Sequence, residues 1–296
     1  MLLALSQKDL PFAGRWDLTI TAPDGTYPSW LEATGDKDKP GVRVVGRAGS
    51  VHPVNDLKLV GLQMSFSTPE EYKGQTTFTW NLRVKGRRIS GTQTRGDGNV
   101  GQIAGVPAPP LYRPYDGAWT GPEPIFDGSD LNGWEPDNPS ANHWKAENGE
   151  LINAEPGSNL HTTRKFQDFK LHIEYNCPKD GNSGVYLRGR YEVQVEYEAA
   201  GSNDQFHGIG SIYGFLAPEA AVKPRPGEWE SYDVTLVGRN VTVVRDKVLI
   251  VDHKDIPGIT GGAMDSHEAE PGPFCIQGNY TGALRFRNIT VSVPKS

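Results

Sequence analysis

The sequence predicts an all-β protein made of two antiparallel domains, and three observations carry that expectation. Apolar and polar residues alternate with a period of two in short runs from one end of the chain to the other, the pattern of strands with one buried and one wet face. Gly 35 and Pro 23 among 296 residues supply the turns that many short strands require. No run of ordinary helical length shows a 3.6-residue apolar period, so helical crossovers between parallel strands are not expected.

The first strand starts after Gly14, where Trp16, Leu18 and Ile20 alternate with Asp17 and Thr19. Residues 42–45, 57–60, 62–66 and 77–84 add further short candidates, parted by turns such as Thr34-Gly35-Asp36 and Arg95-Gly96-Asp97-Gly98. These make a small antiparallel barrel or sandwich, and Gly14-Arg15-Trp16 resembles the Gly-x-Trp start of lipocalin-like barrels. Proline density rises over residues 106–114, the mark of a stiff extended linker, which places the first domain at residues 1–115 and the second at 116–296. In the second, residues 169–175, 184–188, 191–197, 232–237, 241–245, 247–251 and 284–293 alternate again, enough strands for an antiparallel β-sandwich or jelly roll.

Composition narrows the function. A formal net charge of -6 and the lack of a long Lys/Arg run give a phosphate backbone little to hold, so nucleic acid is not an expected partner. No stretch approaches the roughly twenty apolar residues of a membrane-spanning helix. The apolar opening Met1-Leu2-Leu3-Ala4-Leu5 is too short for a complete signal peptide, and a trimmed export signal fits a secreted or periplasmic location. Cys177 and Cys275 are open to either one disulfide or two buried thiols, and neither has a neighbouring histidine that would make it a nucleophile.

The chemistry-bearing pattern is Tyr191-Glu192-Val193-Gln194-Val195-Glu196-Tyr197, in which a strand points Glu192, Gln194 and Glu196 to one face. Just upstream, Asn182-Ser183-Gly184-Val185-Tyr186-Leu187-Arg188 offers Tyr186 and Arg188 on alternate positions, and the short Gly189-Arg190 link predicts a hairpin that sets the two polar rows side by side. Planar amides, carboxylates and guanidinium groups beside aromatic edges suit a sugar, whose hydroxyls take bidentate partners and whose C–H faces pack on rings. The glycine-rich stretch from Gln205 to Gly214 adds His207 and Tyr213 as groups able to titrate or hydrogen-bond in a cleft. His207 with Glu192 and an Asp or Gln is also a conceivable divalent-metal set, although no His-x-His or His-Glu-x-x-His spacing accompanies it. Trp16, Trp80, Trp144 and Trp229 read as packing residues, and Arg285 and Arg287 as the solvated face of a strand.

Several motifs stand in one order: Phe126-Asp127-Gly128-Ser129-Asp130-Leu131-Asn132-Gly133-Trp134, Thr163 with Asp168-Phe169, and Gly181-Asn182-Ser183-Gly184-Val185 with Arg188. Tyr191-Glu192-Val193-Gln194, Ile212-Tyr213-Gly214, Lys223-Pro224, Gly227-Glu228-Trp229 and Phe286-Arg287-Asn288-Ile289 complete the series. In this set the stretch 126–293 resembles the 3-keto-disaccharide hydrolase domain family, a concanavalin-like sandwich. The resemblance implies cleavage of glycosides already oxidised at C3 by a separate oxidoreductase. A C3 ketone acidifies the C2 proton, so a base removes it, the C1 substituent leaves by β-elimination, and water then adds to the enone. On this reading Glu192 is the base, with Arg188, His207 or a divalent metal at the developing oxyanion. Asn182, Tyr186, Gln194, Tyr213, Lys223 and Gln277 bind the saccharide, the last two on the resemblance alone. Two departures stand out: Trp229-Glu230 where the family often has Trp-Asn, and Gln277-Gly278-Asn279-Tyr280 where it often has Gln-Asp-His-Gly. The rival readings are a two-carboxylate glycoside hydrolase, for which Glu192 and Glu196 sit about 13 Å apart by strand rise, and a non-catalytic carbohydrate-binding module.

Overall fold

The structure is a computed structural model that describes residues 10–47, 49–69, 77–115, 117–197 and 204–295; the apolar opening lies outside them. It divides into two compact units, one of Met1–Pro110 with Gly258–Glu268 and one of Leu111–Pro257 with Ala269–Ser296.

The first unit contains β1 (Gly14–Ala22), β2 (Gly25–Gly35), β3 (Pro40–Val45), β4 (Val51–Pro53), β5 (Asn55–Val60), β6 (Gln63–Thr68), β7 (Phe78–Lys85), β8 (Arg88–Thr94) and β9 (Val100–Pro107). All pair antiparallel in one sheet, in the order β4-β3-β2-β1-β9-β8-β7-β6-β5. The two end strands are consecutive in the chain, and inward residues from seven of the nine strands, Trp16, Leu31, Val44, Met64, Trp80, Ile89 and Ile103 among them, form one apolar cluster with Leu57 and Leu59 of β5 packed against it. One nine-stranded antiparallel sheet around a single apolar cluster agrees with the small antiparallel barrel or sandwich that the alternation predicted. β9 escaped the sequence pattern for a steric reason. Gly101 and Gly105 take inward positions of β9, where an added Cβ would stand 2.8 Å from Ile20 and 2.4 Å from Leu18, so the space is already filled from β1. β9 also takes in Val106 and Pro107, the first residues of the expected linker.

The second unit is a two-sheet sandwich. Its strands are β10 (Glu123–Pro124), β11 (Trp134–Pro136), β12 (Trp144–Glu147), β13 (Glu150–Asn153), β14 (Leu160–Thr162), β15 (Phe169–Asn176), β16 (Asn182–Leu187), β17 (Tyr191–Glu196), β18 (Trp229–Val237), β19 (Asn240–Arg245), β20 (Val248–Asp255), β21 (Cys275–Ile276) and β22 (Leu284–Ser292). The larger sheet runs β12-β13-β22-β15-β18-β19-β20 with β10 on β22, and the smaller runs β11-β14-β21-β16-β17. Hairpins with primed-turn chemistry join neighbours: β12 and β13 turn at Asn148-Gly149, both with positive φ (55° and 81°), the combination that matches the strand twist. Among the described residues there is no α-helix, only one 3-10 turn over Pro139–Ala141.

The sheets meet through alternate side chains. Phe169 of the larger sheet touches Phe274, next to β21, with ring centroids 4.6 Å apart and edge to face, and the Tyr232 hydroxyl of β18 donates to the Gln194 carbonyl of β17 at 2.7 Å. Trp16, Trp80 and Trp144 are core residues, as read from the sequence. Arg287 and Arg285 lie against the Trp229 ring, 4.0 and 5.3 Å from its centroid, and pair with Glu174 and Glu150, so their face carries an ion-pair ladder as well as solvent. Cys177 and Cys275 are separate buried thiols.

One charged pair lies deep in this sandwich. Arg245 Nη2 is 2.5 Å from Glu230 Oε2, with side chains 3% and 1% exposed. The Tyr197 hydroxyl donates to Glu230 and accepts from Arg245 Nη2 at 2.5 Å. Removing one partner leaves the other charge buried without compensation. Arg245→Met is therefore expected to destabilise this unit by about 3–5 kcal/mol; a chemical-denaturation midpoint equal to wild type would show that the pair adds nothing.

Candidate functional site

Register across the smaller sheet assembles the site. Glu135 pairs with His161, His161 with Cys275, Cys275 with Tyr186, and Tyr186 with Glu192, so one row of side chains crosses all five strands on one face. The segment ending at Tyr213 continues the row: Val193 bridges Ile212, and the Tyr213 amide donates to the Glu192 carbonyl at 3.1 Å. A second row, two residues along, holds Asn159, Gln277, Gly184, Gln194 and Ser211, through Gln277 N to Gly184 O (2.9 Å) and Gln194 N to Ser211 O (3.0 Å). The opposite face, with Val185, Val193 and Ile276, fills the core.

Glu192 is the centre of this arrangement. It is buried, and desolvation pushes its carboxyl up from 4.5 to about 8; the Tyr186 hydroxyl, hydrogen-bonded to it, pulls the other way, and the nearby Glu196 adds a smaller upward push. Burial likewise raises the Tyr186 phenol well above its usual range, so Tyr186 remains a donor. Gly184 makes the geometry possible, since a Cβ there would lie 1.9 Å from Glu192 Oε1. Three atoms facing the same region, Gln194 Oε1, Gln277 Oε1 and Ser211 Oγ, are buried and meet no hydrogen-bond partner among the described residues. Buried polar atoms left this way cost free energy until a ligand or water satisfies them.

The structure thus brings together Glu192, Tyr186, Gln194, Tyr213 and Gln277. His207 joins through Tyr213, edge to face at 4.9 Å, while its Nδ1 is held by Asp204 at 2.9 Å. Asn182 pairs with Glu196 at the strand end, its backbone bonded to the Thr281 hydroxyl at 2.7 Å. Gln194 Nε2 donates to Glu196 Oε2 at 2.8 Å, so an amide stands between the two carboxylates. Arg188 is placed elsewhere: its φ of 54° ends the alternation of β16, and Nη2 donates to the Gly238 carbonyl (2.7 Å) and the Tyr191 hydroxyl (3.1 Å) inside the sandwich. Lys223 is exposed, with no described hydrogen bond or ion pair to the Glu192 row. Among the described residues no group of three or more His, Cys, Asp or Glu is arranged to hold a metal. What sequence reading missed is the far half of the rows, His161, Asn159 and Cys275, because strands of two or three residues carry no readable period.

Residues 121–292 match the family model of the 3-keto-alpha-glucoside-1,2-lyase-like domain. The chain belongs to that carbohydrate-active family. A candidate glycosyl hydrolase of Parabacteroides distasonis is 28% identical, over 61% of this chain and 92% of its own, with a TM-score of 0.49. A second from that organism is 18% identical over 60% and 93%, at 0.46. Carbohydrate binding module CBM66 from Bacillus subtilis is 15% identical over 54% and 96%, at 0.31. No curated protein matches the chain.

Gly184→Ala forces the Glu192 carboxyl off its seat at little cost in buried area. The expected outcome is a folded protein with saccharide turnover or binding lowered about tenfold or more; wild-type behaviour would show that the seat does not matter.

Proposed function

We propose that the sandwich unit cleaves 3-keto-glycosides by β-elimination, with Glu192 as the base that takes the C2 proton. The observation that carries this is a buried carboxyl raised to about 8, in a row of sugar-suited groups, in a chain of the 3-keto-alpha-glucoside-1,2-lyase-like family. A stronger base is a better match to the weakly acidic proton beside a ketone. The proton moves to Glu192, its electrons pass into the C2–C3 enolate, and the enolate expels the C1 substituent, which leaves with a proton as the free alcohol. Water then adds at C1 of the enone. Tyr213, beside Glu192 in the row, and His207, packed against the Tyr213 ring, are the donors for the C3 oxygen in place of Arg188, and Gln194 and Gln277 hold the hydroxyls. Two-carboxylate hydrolysis is less well served, because Gln194 occupies the place between Glu192 and Glu196.

Aglycone release from a plain glucoside and from its 3-keto form, each with and without chelator, tests the reading. Release from the 3-keto form alone is expected; release from the plain glucoside alone overturns the mechanism, and release from neither favours a binding module. Glu192→Gln is expected to lower kcat by about 10²-fold or more while leaving binding within a few fold.

The ionised form is the base, so kcat/KM is expected to rise with pH to a plateau above about 8. Tyr186→Phe removes the hydrogen bond that favours the carboxylate and moves this limb to higher pH. A limb left unmoved would contradict the assignment. Stability runs the other way. The folded value exceeds the unfolded 4.5, so the native state alone keeps this proton between about pH 4.5 and 8, and the contribution fades as pH rises through that window. Glu192→Gln should accordingly melt higher than wild type at pH 9, with the difference vanishing toward pH 4.

A further inference from the structure

The second row carries three amide side chains, and what their oxygens meet sets two of them apart. Asn159 uses its whole amide inside the protein: Nδ2 donates to Asp137 Oδ2 at 3.3 Å, and Oδ1 accepts the Gly278 amide at 3.0 Å. Gln194 and Gln277 do not. Their Oε1 atoms are buried and meet no partner among the described residues, although both backbones are engaged. Gln194 N donates to Ser211 O, and the Gln194 carbonyl accepts from Gly210 N and the Tyr232 hydroxyl. Gln277 N donates to Gly184 O, and the Gln277 carbonyl accepts the Ser183 hydroxyl at 2.7 Å. The unmet oxygens thus belong to side chains on a fixed frame.

Glu196 decides which end of the Gln194 amide faces the site. Gln194 Nε2 donates to Glu196 Oε2 at 2.8 Å. A carboxylate only accepts hydrogen bonds, whereas an amide has one donating and one accepting end, so the pair is satisfied in one way: NH2 toward Glu196, oxygen away from it. Without an acceptor at position 196 the two ends of the amide differ little in shape, and nothing in that contact holds the oxygen in place. Gly184 faces Gln194 across the hairpin and takes the Gln277 amide on its other side. Glu192 Oε1 leans over that glycine, 1.9 Å from where a Cβ would stand. The carboxyl therefore lies over the strand between the two glutamines, and the donor nearest to it on a bound sugar is the hydroxyl of the carbon it deprotonates.

We propose that Glu196 is a positioning residue: it fixes the Gln194 amide with its oxygen toward the ligand, so that the site selects a ring whose C2 hydroxyl is free to donate. The choice of C2 rests on the reading of Glu192 as base; the orientation of the amide does not. A donated hydroxyl relieves the cost of a buried oxygen without a partner. The second carboxylate of the strand then serves recognition and takes no proton in the reaction.

The test compares an aryl 3-keto-glucoside with its 2-deoxy counterpart, which keeps the C2 protons and the C1 leaving group but lacks the hydroxyl. Both are assayed with wild type, Glu196→Ala and Glu196→Gln at pH 9, so that loss of the Glu196 charge does not act through the Glu192 proton. Glutamine at position 196 still accepts from Gln194; alanine does not. Glu196→Ala is expected to lower kcat/KM about tenfold on the parent and less than threefold on the 2-deoxy substrate, with Glu196→Gln within about threefold on both. Equal losses on the two substrates, a loss in Glu196→Gln as large as in Glu196→Ala, or no loss at all overturns the proposal. The amide is also read without substrate. In protein carrying isotope-labelled glutamine, the Gln194 NH2 signal, assigned by its absence in Gln194→Leu, is expected to exchange with water about tenfold faster in Glu196→Ala than in wild type or Glu196→Gln. If wild type turns over neither substrate, the lyase reading fails, while that exchange pattern still upholds Glu196 as the residue that orients the amide. Equal exchange in all three proteins removes it.

Discussion

The burial of one carboxyl governs the second unit. Glu192 lies on a strand whose two faces are both closed, so its charge would have to be held almost without water, and the carboxyl responds by keeping its proton to about pH 8. Seating it there takes a residue without a side chain at Gly184, directly across the hairpin from Gln194, and a phenol at Tyr186 to meet one oxygen. Two of these elements weaken the fold locally, glycine through chain entropy and the carboxyl through desolvation. A protein that retains both at the cost of stability has the usual profile of a functional site.

The second layer of support comes from the larger sheet. Tyr232 reaches across the sandwich to the Gln194 carbonyl, and its ring packs 4.7 Å from that of Tyr175. Beside it the Arg245–Glu230 pair grips the Tyr197 hydroxyl at the end of the same chain segment that carries Glu192. The family's common Trp-Asn is Trp229-Glu230 here, and Glu230 is the carboxylate that balances Arg245. β17 is thus anchored at its middle by Tyr232 and at its far end by the Arg245–Glu230–Tyr197 network. Such positioning matters more for proton transfer than for binding, because an error of about 1 Å costs rate steeply.

How far the sequence disclosed this can be argued strand by strand. The alternation of residues 191–197 correctly put Glu192, Gln194 and Glu196 on one face, and the hairpin to β16 followed from Gly189. It did not show that Glu192 is buried, nor that the segment Gly210 to Tyr213 pairs with β17 as an added edge, which its glycines disguise. Arg188 was read as one more alternating residue, whereas a positive φ starts the turn one position early and sends the guanidinium into the core. The barrel was legible where Trp16, Leu18 and Ile20 alternate, and illegible in β9, where Gly101 and Gly105 replace the apolar side chains that would have marked it.

The remaining part of the site was hidden for a different reason. His161, Asn159 and Gln277 reach the Glu192 rows only through register, and register between β14, β21 and β16 is set by the packing of Leu160, Ile276 and Val185 on the core side. A slip of one residue in β14 would turn His161 inward and Leu160 outward, and one in β21 would do the same to Cys275 and Ile276. The apolar inner face therefore specifies the polar outer one: burying Leu160 and Ile276 obliges His161 and Cys275 to stand in line with Tyr186. Core packing and substrate chemistry are two faces of one alternation, and a change to the first is felt as a misalignment of the second.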